Sequence, residues 1–223
     1  MAVDLRWEKR FILGDYEPVF TEAMISTTKA GDTVYDVGAH VGYFSLLFGK
    51  LVGPRGIVIA IEPSPAVLDR LEHNIRRNIR RIHARVDVKP LAASNQLGHA
   101  RFFLGGSTST GRLARLPADA PGESIVEVPT VTLDSLVTGG LPPPNVIKID
   151  VEYYEARVIE GSLCTIKKYR PVVLCEIHDI ENARAVYSSL TNLGYSILHL
   201  GSGSTWDDID QATKGHILAE IRP

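Results

Sequence analysis

Four apolar runs of this chain end in ionisable side chains, and any chemistry is to be sought at those ends. Asp36 closes Thr33-Val34-Tyr35, and Glu62 closes Ile57-Val58-Ile59-Ala60-Ile61. Asp150 and Glu152 follow Val146-Ile147-Lys148-Ile149, and Glu176 and His178 stand at the end of Val172-Val173-Leu174-Cys175. A carboxylate at such a point can accept hydrogen bonds from ribose hydroxyls, face a cation or take up a proton. An imidazole titrates close enough to neutrality to act as a base. One charged strand end is ordinary, since strands must stop somewhere. Four aimed at one crevice make a site, because ligands of open α/β sheets bind outside the carboxyl ends of the strands.

The turn after the first run narrows the ligand. Gly38 and Gly42 flank Ala39-His40-Val41, and an apolar helical stretch from Tyr43 to Leu51 follows. Strand, glycine turn and helix form the nucleotide-binding start of a doubly wound sheet, with free N–H groups at the helix N-terminus. His40 occupies the place where a dinucleotide fingerprint needs its second glycine, which disfavours an NAD-dependent oxidoreductase. No Gly-Lys-Ser/Thr follows, so a phosphate-cradling loop is excluded. Glu62 lies about 20 residues beyond the turn, the distance at which a carboxylate meets a ribose diol. A ribosyl ligand without a pyrophosphate is therefore expected, S-adenosylmethionine above all. Ala92-Ala93, ending Val86–Ala92, is placed to lie against a planar base.

Asp150, Glu176 and His178 are also ligand types that a divalent cation accepts. The expectation here is nonetheless that no metal is required. For a hydroxyl acceptor, His178 is the expected base, with Glu176 or Asp150 orienting it or serving instead.

The elements that must position these groups alternate in the manner of one mostly parallel α/β sheet. Helices are expected over Pro18–Lys29, after Ser64 as cap with Pro65 at the first position, from Val151 through Tyr169, and over Glu181–Leu193. The helix after Ser64 has an apolar side (Leu68, Leu71, Ile75, Ile79) and a basic side (Arg70, Arg76, Arg77, Arg80, Arg81), read as a solvated face since no aromatics interleave with it. Ala100–Leu104 and Ile125–Val131 read as a strand pair. The Gly/Ser/Thr/Pro-rich loop between them, Gly105–Ser124, is expected to be flexible, either a substrate lid or plain disorder. Tyr195–Leu200 and His216–Ile221 supply two last strands. Residues 1–223 are thus expected to form a single domain with an inserted strand pair and flexible loop at about 98–131.

Composition limits the alternatives. The chain has 223 residues, 44% hydrophobic and 22% charged, with a formal charge of −2. Nothing there calls for a nucleic acid or a membrane surface as partner. Cys164 and Cys175, in apolar sequence, are expected to be buried free thiols. The N-terminal stretch lacks the apolar core of a secretion signal. The expected setting is cytoplasmic, the expected partner a small-molecule acceptor, and the oligomeric state is left open.

Five motifs occur in order: Asp36-Val37-Gly38-Ala39-His40-Val41-Gly42-Tyr43-Phe44-Ser45, Glu62-Pro63-Ser64-Pro65, Thr132-Leu133-Asp134, Lys148-Ile149-Asp150-Val151-Glu152 and Glu176-Ile177-His178. Over roughly residues 15 to 200 the chain resembles the FkbM family of S-adenosylmethionine-dependent methyltransferases. The resemblance implies a class I methyltransferase fold: a seven-stranded, mostly parallel sheet with helices on both faces and the last strand antiparallel. It implies O-methylation of a hydroxyl on a sugar or natural product, with N-methylation or a non-catalytic nucleoside-binding module as alternatives. By resemblance Asp36, Gly38 and Gly42 hold the methionine portion, Glu62 holds the ribose, and Glu17 borders the cofactor. His40 and Ala92 complete that site, and Asp150 lies beside the transferring methyl. Glu152 and Tyr153 are expected to meet the acceptor. Tyr153 departs from the family, which usually has glycine there; its ring is expected to point inward and narrow the acceptor site.

Overall fold

The computed structural model describes residues 16–104, 111–113 and 124–221. In chain order it contains α1 (Pro18–Thr27), β1 (Thr33–Val37), α2 (Tyr43–Val52), β2 (Ile57–Ile61), α3 (Pro65–Ile82), β3 (Arg85–Lys89), β4 (Ala92–Ala93), β5 (Gly98–Leu104), β6 (Arg112–Leu113) and β7 (Ser124–Val131). Then come α4 (Leu133–Thr138), β8 (Val146–Ile149), α5 (Glu155–Glu160), α6 (Leu163–Tyr169), β9 (Val172–Ile177), α7 (Ile180–Thr191), β10 (Ser196–His199), β11 (Ser204–Trp206) and β12 (Gly215–Glu220). Among the described residues no helix is long and apolar enough to cross a membrane.

The main sheet has the order β11-β10-β12-β9-β8-β1-β2-β3. The pairs β3–β2, β2–β1, β1–β8 and β8–β9 are parallel, while β12 runs antiparallel to both β9 and β10. The sheet therefore has eight strands where seven were expected. The addition is β11, an edge strand of three residues antiparallel to β10, entered through the turn at Gly203 with a left-handed φ of 69°. So short a strand in Gly/Ser-rich sequence carries no periodic signal.

Two-residue alternation sorts the central strands onto two cores. Tyr35, Val37, Ile59, Ile61, Ile147 and Ile149 pack toward α5, α6 and α7 through Val158, Ile166 and Val186. Val34, Val58, Val146 and Leu174 pack on the opposite face against Phe20, Met24, Phe44 and Phe48 of α1 and α2. Asp36 and Lys148 fall on this second face, and the β1–β8 register sets them directly opposite each other.

Several boundaries differ from expectation for local reasons. The third strand stops at Lys89, because Pro90 has no N–H to continue the ladder, and Ala92–Ala93 passes into a second sheet of order β4-β7-β5-β6. The expected helix through Tyr169 is two helices. A Cβ on Gly161, at their junction, would lie 2.0 Å from the Ser94 carbonyl oxygen, so the chain passes too close to β4 for any larger residue. Asp134 joins the parts by accepting from the Cys164 and Thr165 amides at the start of α6. Ser64 occupies the cap position of α3 without a side-chain cap bond. Ile79 is exposed, and Leu71, Asn74, Ile75 and Ile82 make the buried side, with Arg76, Arg77, Arg80 and Arg81 outside. Cys175 is buried as expected; Cys164 is exposed. Residues 1–15 and most of the segment expected as a lid, 105–110 and 114–123, lie outside the described residues.

Candidate active site

A cavity of about 350 Å³ opens at the carboxyl ends of β1, β2, β8 and β9. Of the residues singled out in the sequence, Glu17, Gly38, His40, Glu62, Ala92, Asp150, Glu152, Glu176 and His178 line it. Asp36, Gly42 and Tyr153 lie outside this lining as the described residues form it.

Asp36 is fully buried. Its carboxylate accepts from Ser45 Oγ at 2.5 Å and pairs with Lys148 Nζ at 3.1 Å. Lys148 also donates to the Gly38 carbonyl at 2.9 Å and lies 3.4 Å from Asp150 Oδ2. Burial alone would pull the ammonium pKa down; Asp36 and Asp150 overcome that and raise it, so the side chain stays charged. Asp36, expected in the methionine site, thus stands behind the cavity lining and is tied to it by Lys148. The signal for Lys148 was present in the sequence as a lysine within an apolar strand.

Gly38 has a φ of 77°, and a Cβ there would sit 1.9 Å from the Asp150 carbonyl oxygen. Its lack of a side chain lets the ends of β1 and β8 close up. Gly42 (φ 88°) starts α2, and a Cβ on it would meet Leu71 at 2.8 Å. It shapes the turn and the α2–α3 contact from behind the cavity wall.

Glu62 is buried, and its two oxygens accept from the His40 amide at 2.9 Å and the Ser64 amide at 2.8 Å. Burial pushes its pKa up, and the two amides only partly offset this, leaving it at about 7. The His40 backbone is left-handed, with φ 49°, and turns its N–H onto this carboxylate.

The far side of the cavity is an array of alternating charges. His178 Nδ1 lies 2.5 Å from Glu155 Oε1, and Nε2 lies 3.5 Å from Glu152 and 3.8 Å from Glu176. Glu176 also approaches His216 Nε2 at 3.6 Å, and that ring stacks on Phe20 and lies 3.3 Å from Glu17. Burial would lower both imidazoles, but the carboxylates prevail and raise each to about 9. The acids around it thus favour the protonated form of His178, the residue expected from sequence as a base. Asp150 is held below the usual carboxylate range, because Lys148 and His178 outweigh its burial. Glu152 is shifted upward, chiefly by burial against the pull of His178. Asp150, Glu176 and His178, and likewise Glu17, Glu176 and His216, bring ligand-type atoms within 4.8 Å of one another. In both groups the histidine stands among carboxylates that raise its pKa.

Tyr153, expected to point inward, is not among the lining residues. Its φ of 62° is left-handed, a conformation that favours glycine, and its ring is 41% exposed, 5.5 Å from the His178 ring. Tyr154 is the tyrosine that lines the cavity, together with Phe102, Arg112 and Leu113 of the second sheet. Sequence reasoning missed Tyr154, Glu155 and His216. Glu155 could have been found as the third acid of Asp150-Val151-Glu152-Tyr153-Tyr154-Glu155; His216, within an apolar last strand, gave no sign of its partners.

The sequence pattern of the Methyltransferase FkbM domain matches residues 36–197, from the first charged strand end to β10. This chain belongs to the FkbM methyltransferase family. Hexuronic acid methyltransferase AglP of Haloferax volcanii is 27% identical over 184 residues, covering 79% of this chain and 68% of that protein. The 31-O-demethyl-FK506 methyltransferase FkbM of Streptomyces tacrolimicus is 30% identical over 202 residues, covering 76% and 75%. Among solved structures, methyltransferase FkbM from Methylobacillus flagellatus superposes with a TM-score of 0.55 at 16% identity, covering 98% of this chain and 56% of that one. The O-methyltransferase from Bacillus cereus in complex with SAH gives 0.54 at 14%, covering 100% and 93%. These superpositions establish the class I methyltransferase fold, and the cofactor of the family is S-adenosylmethionine.

Proposed function

We propose that this FkbM methyltransferase methylates a hydroxyl group of a small molecule such as a sugar or natural product. The observation that carries the reading is Glu152, a cavity carboxylate with a raised pKa, two residues from the anionic Asp150 at the end of β8. A neutral hydroxyl must shed its proton as it is methylated, and a carboxylate of raised basicity suits that task. The printed names of the two relatives, one acting on hexuronic acid and one on a 31-O position, lie in the same direction.

The chemistry of the lining fits the cofactor. Glu62 has the lone pairs to accept from a ribose diol beyond the two amides it already binds. Ala92 offers a flat, small wall for the base, and the Gly38–His40 turn borders the same space. Glu17, Asp150 and Glu176 suit the ammonium and sulfonium charges. When bound, S-adenosylmethionine supplies an electrophilic methyl group on a sulfonium. The residues of the chain then align and deprotonate: Asp150 and Glu176 fix the cationic end, Glu152 accepts the hydroxyl proton, and His178 donates from Nε2. Enzymes of this kind gain chiefly by alignment. Residues 98–131 belong, in this reading, to an insert within one methyltransferase domain, whose Phe102 and Arg112 face the acceptor. The free thiols accord with a reducing, cytoplasmic setting.

Incubation with S-adenosylmethionine and a panel of glycosides, uronic acids and polyhydroxylated natural products tests the proposal. The expected product carries an O-methyl group located by NMR. Methylation confined to amines, or none across the panel, would overturn it. Tyr153, exposed and outside the cavity lining, lends little support to a non-catalytic binding module.

A further inference from the structure

Glu155 is a carboxylate with no access to solvent, and nothing in methyl transfer itself explains why it is there. It opens α5, and one oxygen, Oε1, accepts both from the His178 backbone amide at 3.2 Å and from Nδ1 of the same residue. The other oxygen, Oε2, has no hydrogen-bond partner among the described residues. A buried carboxylate satisfied on one side only is costly unless a positive charge adjoins it. The His178 ring is the group in contact with it.

The turn that carries Glu155 is fixed on α7. Asn182, itself buried, accepts from the Ala156 amide at 3.0 Å and donates to the Tyr153 carbonyl at 3.3 Å. Glu155 therefore holds the ring from a rigid base, with Nδ1 committed as a donor. The remaining nitrogen, Nε2, points toward Glu152 from the loop after β8 and Glu176 from β9, both too far for good hydrogen bonds. Asp150 feels the same ring, and the Tyr153 ring packs beside it. The ion-pair neighbours of the imidazole among the described residues are thus acids, and Nε2 has none of them closer than 3.5 Å.

We propose that Glu155 is a positioning residue that fixes the His178 ring and keeps it doubly protonated, so that Nε2–H is offered as a hydrogen-bond donor to the acceptor molecule. The acceptor class this suits carries an oxygen lone pair, as a second hydroxyl, a ring oxygen or a carboxylate, next to the hydroxyl that is methylated. The statement about the acceptor rests on the O-methylation reading; the charge state of the ring does not.

The test is histidine NMR on the purified full chain, with the His178 signal assigned by its loss in His178→Gln. In the wild type the ring should titrate near pH 9. In Glu155→Gln, which keeps the shape and removes the charge, the midpoint should fall by about 1–3 pH units, the usual effect of one adjacent opposite charge. The falling alkaline limb of kcat/KM should move down by the same amount. KM for acceptors with a neighbouring oxygen should rise more than for simple alcohols. An unchanged midpoint in a folded Glu155→Gln would reduce Glu155 to a packing role and overturn the proposal. Should that variant not fold, the wild type still decides: a midpoint at or below about 6.5, the value of a free imidazole, overturns it. A shifted midpoint with no hydroxyl methylated on any acceptor would leave the Glu155 inference standing and remove the O-methylation reading.

Discussion

Binding of the adenosine part of the cofactor should depend on pH through one group, Glu62. Its carboxyl sits at about 7 because burial outweighs the two amides that bind it. A ribose diol donates to the carboxylate form, so binding favours ionisation and releases a proton as pH falls below that value. If the neutral form does not bind, the ionised fraction drops about 25-fold between about pH 7.5 and 5.5, which corresponds to about 2 kcal/mol of affinity. 5′-Methylthioadenosine is the suitable probe, since it keeps the ribose but lacks the amino-acid charges that Asp150 and Glu176 would sense. Calorimetry across this range should show the loss in the wild type and a flat profile in Glu62→Gln. The variant should also bind more weakly at pH 7.5 by about 2–4 kcal/mol, because two charge-assisted bonds to the ribose are lost. It should lose about 1–3 kcal/mol of folding stability besides. A glutamine oxygen can satisfy only one of the His40 and Ser64 amides, and its NH₂ group then faces the other donor. A wild-type profile as flat as the variant's would refute the placing of Glu62 at the ribose.

Lys148→Met should leave the buried Asp36 unpaired and cost about 3–5 kcal/mol; differential scanning calorimetry should show Tm falling by about 6–20 °C, with Asp36→Asn in the same chain recovering part of it. Because the folded pKa values of His178 and His216 are raised, their contribution to stability is fully present below about pH 6.5 and lost as pH rises through about 9. Tm should accordingly fall by about 5–10 °C between those values, and a rise over that interval would contradict the ion-pair array. Tyr153→Gly relieves a left-handed backbone at about 1–2 kcal/mol and should raise Tm or leave it unchanged, with the acceptor profile unaltered; a widened profile would show that the ring reaches the pocket after all.

The parts of the site that could be read from sequence were those fixed by backbone geometry. A glycine turn after a buried strand has few solutions, and Glu62 at the end of the next strand has one direction in which to project. Fold class followed from the same regular alternation. What could not be read depended on register and on distant partners. Asp36 resembled a cavity carboxylate until the β1–β8 register set Lys148 opposite it on the face covered by Phe44. The three acids around His178 come from two separate segments, and their closeness to the ring could not be read from spacing. The inward reading of Tyr153 gave Tyr154 the solvent side; in the fold Tyr153 has a left-handed φ of 62° and is exposed, and Tyr154 lines the cavity. His216, some forty residues from Glu176 in sequence, becomes its neighbour only because β12 pairs antiparallel with β9.

The break at Pro90 divides the labour of the cavity wall. Upstream of it the chain builds strand ends that carry Gly38, His40 and Glu62; downstream it enters a different sheet that contributes Phe102, Arg112 and Leu113. The two walls share no strand, so they are free to change at different rates. If the second sheet meets the acceptor, as proposed, acceptor preference can drift through Phe102, Arg112 and Leu113 while the ties among Asp36, Lys148 and Asp150 stay as they are. A family built this way can hold one donor chemistry constant and still meet acceptors as different as those its members are named for.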